Sequence, residues 1–260
     1  MITGLTTGFV DLDKQTDGLQ QGDLIIIAGR PSMGKTAFAM NLAQNAEEGA
    51  VVAFFSLEMP SQQISMRLLA SESKVNMSKM ETHHFDKNGW SEMVLKNLSS
   101  SKIFVEDTPA IGVAEIRTKC RRLNSDEGRL DMVLIDYLQL MTGSATAEKR
   151  DFQISEMMRA LKGLAKELDV PVLVLSQLNR ALESRADKRP IMSDLRELAA
   201  IEPAADMVMF IYRDEVYSPK SENEGVAEII VAKHRNGLTG TVRLAFLKKY
   251  ARFENWAVAN

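Results

Sequence analysis

Eight consecutive residues, Gly29-Arg30-Pro31-Ser32-Met33-Gly34-Lys35-Thr36, combine two glycines, a lysine and a hydroxyl at a spacing suited to gripping phosphate. Glycine lets backbone N–H groups approach anionic oxygens closely, and a helix starting near Lys35 adds partial positive charge at its N-terminus. Read this way, Lys35 reaches the β- and γ-phosphates of a nucleoside triphosphate, and the Thr36 hydroxyl ligates Mg²⁺. The candidate nucleotide contacts are Gly29, Ser32, Met33, Gly34, Lys35, Thr36 and Ala37. A chance glycine turn is the alternative. The apolar run Leu24 to Ala28 before the loop and the helical stretch after it favour phosphate binding.

Two acids stand where they could complete such a site. Asp136 ends the run Met132-Val133-Leu134-Ile135-Asp136, and an acid at the C-terminal end of a buried strand points into the crevice where α/β ligands bind. Beside a complete phosphate loop it is the candidate Mg²⁺ carboxylate, together with Thr36. Glu58 follows the run ending at Phe55-Ser56 and precedes Pro60. It reads equally as an acid starting a helix or as a general base for an attacking water.

The elements that must position these groups alternate along the chain. Val51 to Phe55, Lys102 to Val105, Met132 to Ile135 and Val172 to Leu175 repeat the apolar run of Leu24 to Ala28. Runs without polar alternation belong to strands covered on both faces. Between them, Ile154, Met158, Leu161, Ala165 and Leu168 form one stripe at helical spacing. The expected fold is α/β, a mostly parallel sheet flanked by helices. After Asp206, four runs (Met207 to Tyr212, Ala227 to Ala232, Thr241 to Phe246 and Ala251 to Phe253) follow without helices and predict an antiparallel extension.

Composition narrows the classes. The 260 residues, 45% hydrophobic, suffice for one large domain spanning 1–260, and no Pro/Gly/Ser-rich linker divides them. A net charge of −3 argues against one broad basic face, so nucleic-acid contacts are expected on a few loops. A single cysteine, Cys120, suits a reducing compartment, and the expected location is cytoplasmic. Apolar runs are too short to cross a bilayer, so no membrane partner is expected. His83, His84 and His234 lack zinc-ligand spacing, and Met157 and Met158 read as core filler.

Ser56-Leu57-Glu58-Met59-Pro60, Ile135-Asp136-Tyr137-Leu138-Gln139-Leu140, Ser176-Gln177-Leu178-Asn179-Arg180, Lys188-Arg189-Pro190 and Arg235-Asn236-Gly237 occur in that order behind the phosphate loop. From about Thr6 to Phe253 the chain resembles the RecA-like P-loop motor domain of DnaB-type replicative DNA helicases. The resemblance implies ATP and Mg²⁺ as cofactors, with Glu58 as the catalytic carboxylate. It implies that Gln177 senses the γ-phosphate, where the residue alone reads as a polar strand cap. It assigns Lys233 and Arg235 to the neighbouring subunit's ATP, with Arg235 as arginine finger, where the residues alone read as a solvated cationic hairpin.

The resemblance further implies single-stranded DNA as partner, contacted by Lys149 and Arg150 in the loop 143–151 and by Arg196, Glu197 and Ala199. Family members commonly carry Arg-Glu-Ser-Gly there, whereas this chain has Leu198-Ala199, then Pro203, and Leu238 where proline is common. Arg180, Arg185, Lys188 and Arg189 read as a solvated surface rather than a DNA or subunit contact. A hexameric ring, primase and a helicase loader are implied partners of the intact family proteins. The family's N-terminal helical domain and linker helix are expected to be absent from 1–260. A recombinase-type filament ATPase and a nucleotide-gated scaffold or loader-binding module without translocation remain as alternatives.

Overall fold

The apolar runs become strands because each has two faces to bury. The computed structural model describes residues 2–78, 101–142, 150–198, 201–218 and 220–256, with the side chains of 150, 151 and 196–198 left aside. Nine strands form one sheet in the order β3-β2-β4-β5-β1-β6-β7-β8-β9. They are β1 Leu24–Gly29, β2 Val51–Ser56, β3 Lys102–Glu106, β4 Met132–Asp136, β5 Val172–Gln177, β6 Met207–Tyr212, β7 Val226–His234, β8 Gly240–Leu247 and β9 Arg252–Asn255. The described helices of the main body are α1 Val10–Thr16, α2 Lys35–Asn45, α3 Ser61–Ser73, α4 Val113–Glu127, α5 Arg150–Leu168 and the short α6 Ile201–Ala204.

The period of two divides each central strand between two cores. Ile25 and Ile27 of β1 pack with Phe38 and Leu42 of α2, while Leu24, Ile26 and Ala28 join Ile116 and Cys120 of α4 and Leu161 and Ala165 of α5. Both faces are therefore dry. The α5 stripe is buried at Ile154, Met158, Leu161 and Ala165, and Met157 fills the same core. Burial pushes the Cys120 thiol up to about 12, which leaves it inert as a nucleophile.

The antiparallel extension begins one strand later than the run of apolar segments suggests. Strand β6 pairs in parallel with β1, Ile25 opposite Met207 and Ala28 opposite Phe210. Only β7, β8 and β9 are antiparallel. The short α6 and the turn Met192–Leu198 make the crossover into β6 without a long helical signal. The last two strands fold back under the phosphate loop. Phe253 meets Phe38 edge-on at 5.3 Å and Phe246 at 4.7 Å, and its N–H donates to Asn41 Oδ1 on α2 at 2.7 Å. Among the described residues, no helix is long and apolar enough to cross a membrane.

Candidate active site

The cleft lies at the C-terminal ends of β1, β2, β4 and β5, where parallel strands release their chains into loops. At its floor, the residue before α2 has to be glycine. Gly34 holds φ 96°, and a Cβ there would stand 3.1 Å from Phe253 Cζ. Ser32 also takes a positive φ of 67°, and the buried Arg213 secures it by donating from Nη1 to the Ser32 carbonyl at 3.0 Å. Arg213 in turn pairs with Glu215, Nε to Oε1 at 3.0 Å, and stacks over Phe246 at 4.0 Å.

Parallel pairing brings the chemical groups together. Ser56 stands opposite Asp136, and the N–H of Leu57 donates to the Asp136 carbonyl at 2.7 Å, so the turn carrying Glu58 leaves the sheet beside Asp136. The Ser56 hydroxyl closes that turn on the Met59 carbonyl at 2.7 Å. On the other side Gly29 stands opposite Gln177. Gln139 grips the backbone of Gln177 twice, donating from Nε2 to its carbonyl at 2.9 Å and accepting from its N–H at 3.3 Å.

The result is a cleft of about 410 Å³ whose lining includes Ser32, Gly34, Lys35, Thr36, Ala37, Glu58, Arg67, Tyr137, Gln177 and Phe246. Two of the candidate contacts stand outside this lining. Met33 turns its side chain into the core at 1% exposure, and Gly29 contributes its carbonyl, which accepts from Lys35 Nζ at 3.0 Å. The sequence reading singles out none of Arg67, Arg213, Gln139 and Phe246 as site residues. Only Gln139 sits in a motif string that could have signalled it, since the others reach the site through packing.

Thr36 Oγ1 donates to Asp136 Oδ2 at 2.6 Å. Burial pushes the Asp136 carboxyl up to about 6; the nearby Glu58 charge adds to this, while the Thr36 hydrogen bond and the charges of Lys35 and Arg67 oppose it. Burial likewise lowers the Lys35 ammonium to about 8, against the pull of Asp136 and Glu58. A hydroxyl and a carboxylate in contact, with a second carboxylate near enough to raise the first, form a hard oxygen donor set that fits Mg²⁺. An adjacent lysine and backbone amides fit a polyphosphate.

Lys233 and Arg235 lie elsewhere. Arg235 donates its backbone N–H to the Asp206 carbonyl at 2.8 Å, and Asp206 N–H donates to Leu24 O at 2.9 Å, level with the start of β1. The phosphate loop leaves from the other end of β1, about 17 Å away along the strand. Lys233 caps the carbonyls of Glu202 and, at 2.6 Å, Ala205. Lys233 is the next-to-last residue of β7 and Arg235 lies just past its end.

Of the DNA-facing candidates, Lys149 and Ala199 fall outside the described residues. Arg150 opens α5, and Arg196 and Glu197 lie in the turn Met192–Leu198, with only their backbone described. That turn is anchored from behind. Arg185 makes a two-pronged pair with Asp194, both contacts 2.9 Å, and Arg189 does the same with Glu228 at 2.7 and 2.8 Å. These two arginines are therefore structural ties and not the solvated surface their clustering suggests, because each finds a largely buried carboxylate on another segment.

A model of the DnaB-like helicase C terminal domain matches residues 4–255. The replicative DNA helicase DnaB of Geobacillus stearothermophilus is 51% identical over 259 residues, covering 98% of this chain and 57% of that protein. That of Pasteurella multocida is 52% identical over 262 residues, covering 98% and 56%. The chain thus spans little more than half the length of these relatives. Among solved structures, one described as an ATPase domain superposes with a TM-score of 0.94 at 41% identity, covering 98% of this chain and 92% of that one. A DnaB-like replicative helicase studied for its interactions with primase gives 0.93 at 40% identity, covering 98% and 62%.

Proposed function

The chain belongs to the DnaB-like helicase C terminal domain family, and from that premise we propose that it is the ATP-hydrolysing motor of a replicative DNA helicase. In this reading Lys35 and the amides of the phosphate loop hold the triphosphate. Thr36 and Asp136 hold Mg²⁺, which supplies charge neutralisation at the phosphate oxygens when bound. Glu58 takes the proton of the attacking water, and Gln177 touches the terminal phosphate. The observation that carries the reading is the separation between the two halves of the machinery. The cleft opens at one end of the strands, while the half-exposed Arg235 and the partly buried Lys233 lie at the other, out of reach of it.

A guanidinium so placed serves the cleft of a neighbouring copy, which makes hydrolysis a property of subunit interfaces. The assembly proposed for that use is a hexameric ring, with the segments around 143–151 and 196–200 tracking one DNA strand through the centre. Hydrolysis changes the relation between neighbours, and that motion steps the loops along the strand. Primase and a helicase loader are proposed partners, the first by analogy with the structural relative studied with primase.

The test measures ATP turnover with and without single-stranded DNA, then unwinding of a tailed duplex. Several-fold stimulation together with strand separation is expected. Turnover indifferent to DNA would return the chain to the scaffold reading, and stimulation without unwinding to the recombinase reading.

A further inference from the structure

Asp206 is a buried carboxylate that the hydrolysis machinery described above does not use. It sits at 3% exposure in the last position before β6, and its two oxygens have separate duties. Oδ2 accepts from the N–H of Leu24 at 2.9 Å and from Lys162 Nζ of α5 at 2.5 Å, which ties the carboxylate to both the sheet and a long helix. Oδ1 accepts from Arg235 Nη1 at 3.0 Å. Arg235 Nη2 donates to the Pro203 carbonyl at 3.2 Å, and the backbone N–H of Arg235 donates to the Asp206 carbonyl.

A guanidinium carries five N–H donors in a rigid plane. Two of the five in Arg235 are engaged, one on each Nη, and the side chain is still 50% exposed. The two anchored donors limit the rotamers of a long side chain, and three N–H donors remain beyond these contacts on a half-exposed group. Holding an arginine in one pose before it meets its target removes ordering entropy from the encounter.

We propose that Asp206 is a positioning residue for Arg235, fixing the guanidinium so that its remaining donors are presented to the triphosphate of the neighbouring copy. This rests on the reading of Arg235 as a residue acting in trans. Because Oδ2 is committed to Leu24 and Lys162, the carboxylate cannot swing with the arginine. Its position is set by the sheet. Arg235 closes on the carbonyl of Pro203 and the nearby Lys233 on those of Glu202 and Ala205, so both cations hold the short segment just after the one proposed to face DNA.

The experiment uses mixed assemblies on single-stranded DNA. Asp206→Asn alone is expected to lose roughly 10- to 100-fold in ATP turnover, the range of a hydrogen bond to a charged group. Mixed with Glu58→Gln, which is inactive by itself but carries an intact Arg235 and Asp206, it recovers part of that loss, because its own cleft is sound and the neighbour supplies the arginine. A carboxylate needed only for folding would show no recovery. Arg235→Ala mixed with Glu58→Gln runs alongside. Recovery there without recovery for Asp206→Asn overturns the positioning role alone, and no recovery in either mixture overturns the trans reading as well. Full turnover of assembled Asp206→Asn also overturns the positioning role. Should Asp206→Asn not fold, Asp206→Glu keeps the charge beside Lys162 while displacing the carboxylate by one methylene. It is expected to give the same recovery in the mixture, and its absence there counts against the proposal.

Discussion

Thr36 Oγ1 and Asp136 Oδ2 stand 2.6 Å apart although one hundred residues separate them in the chain. The contact joins the first turn of α2, which follows β1, to the end of β4, and β5 lies between those two strands in the sheet order. Both oxygens are therefore held by the sheet, and a cation placed between them and a phosphate meets ligands that need little reorganisation.

Replacing Glu58 with Gln is expected to lower turnover by about 10²–10⁴-fold while leaving nucleotide affinity close to that of the parent, since the amide keeps the shape but cannot take a proton. Equilibrium binding of a fluorescent nucleotide alongside steady-state turnover separates the two effects. Lost binding with normal turnover of the remaining complex would make Glu58 a structural acid at the start of α3.

Binding of Mg-ATP should weaken on both sides of a window from about pH 6 to about pH 8. Below it Asp136 takes up a proton, and above it Lys35 loses one. The stability of the nucleotide-free chain responds to each with its own sign. The Asp136 value rises from 3.8 unfolded to about 6 folded, so the folded state holds the extra proton and stability falls as pH climbs through that interval. The Lys35 value drops from 10.5 to about 8, so the unfolded state holds the extra proton and stability rises with pH between them. In Asp136→Asn the contribution of this carboxyl to the acid limb disappears, and titration calorimetry across the window reads it directly. An unchanged acid limb would remove Asp136 from the metal site.

Arg213→Met should raise KM for ATP more than it lowers kcat, because it releases the carbonyl of Ser32 rather than a reacting group. It also leaves Glu215 with the Gly225 N–H but without its guanidinium, and breaking a largely buried pair from one side costs on the order of 3 kcal/mol. A lower unfolding midpoint with an unaltered KM would mean that the loop keeps its shape without the arginine.

Gln139→Ala is expected to cut turnover roughly tenfold, about the worth of one hydrogen bond, with the midpoint of thermal unfolding little changed. The loss should be smaller in a Gln177→Ala background if Gln139 acts by orienting Gln177. Equal losses in both backgrounds would assign Gln139 a role of its own.

Much of the site could be read before any fold was known, because its signals are local. The glycines, Lys35 and Thr36 form one string, and Asp136 ends an apolar run whose lack of alternation already implies a strand covered on both sides. The resemblance of the ordered motifs extended the reading to Gln177, which lines the cleft, and to Arg235, which lies at the other end of the sheet, where residue type alone favoured ordinary surface roles. Only the tertiary structure could bring in Arg67 and Phe246, which line the cleft, and Arg213, which holds the phosphate loop at Ser32, since each comes from a segment with no phosphate-binding signal of its own. It also turned Arg185 and Arg189 from a basic cluster into ties, by supplying Asp194 and Glu228 from other parts of the chain. Strand β6 changed direction in the same way, because a parallel or antiparallel partner is chosen by the path of the crossover and not by the strand's composition. Periodicity and motif strings record what a segment needs buried or bound, whereas the partner that satisfies a long polar side chain depends on which distant segment the sheet order brings beside it.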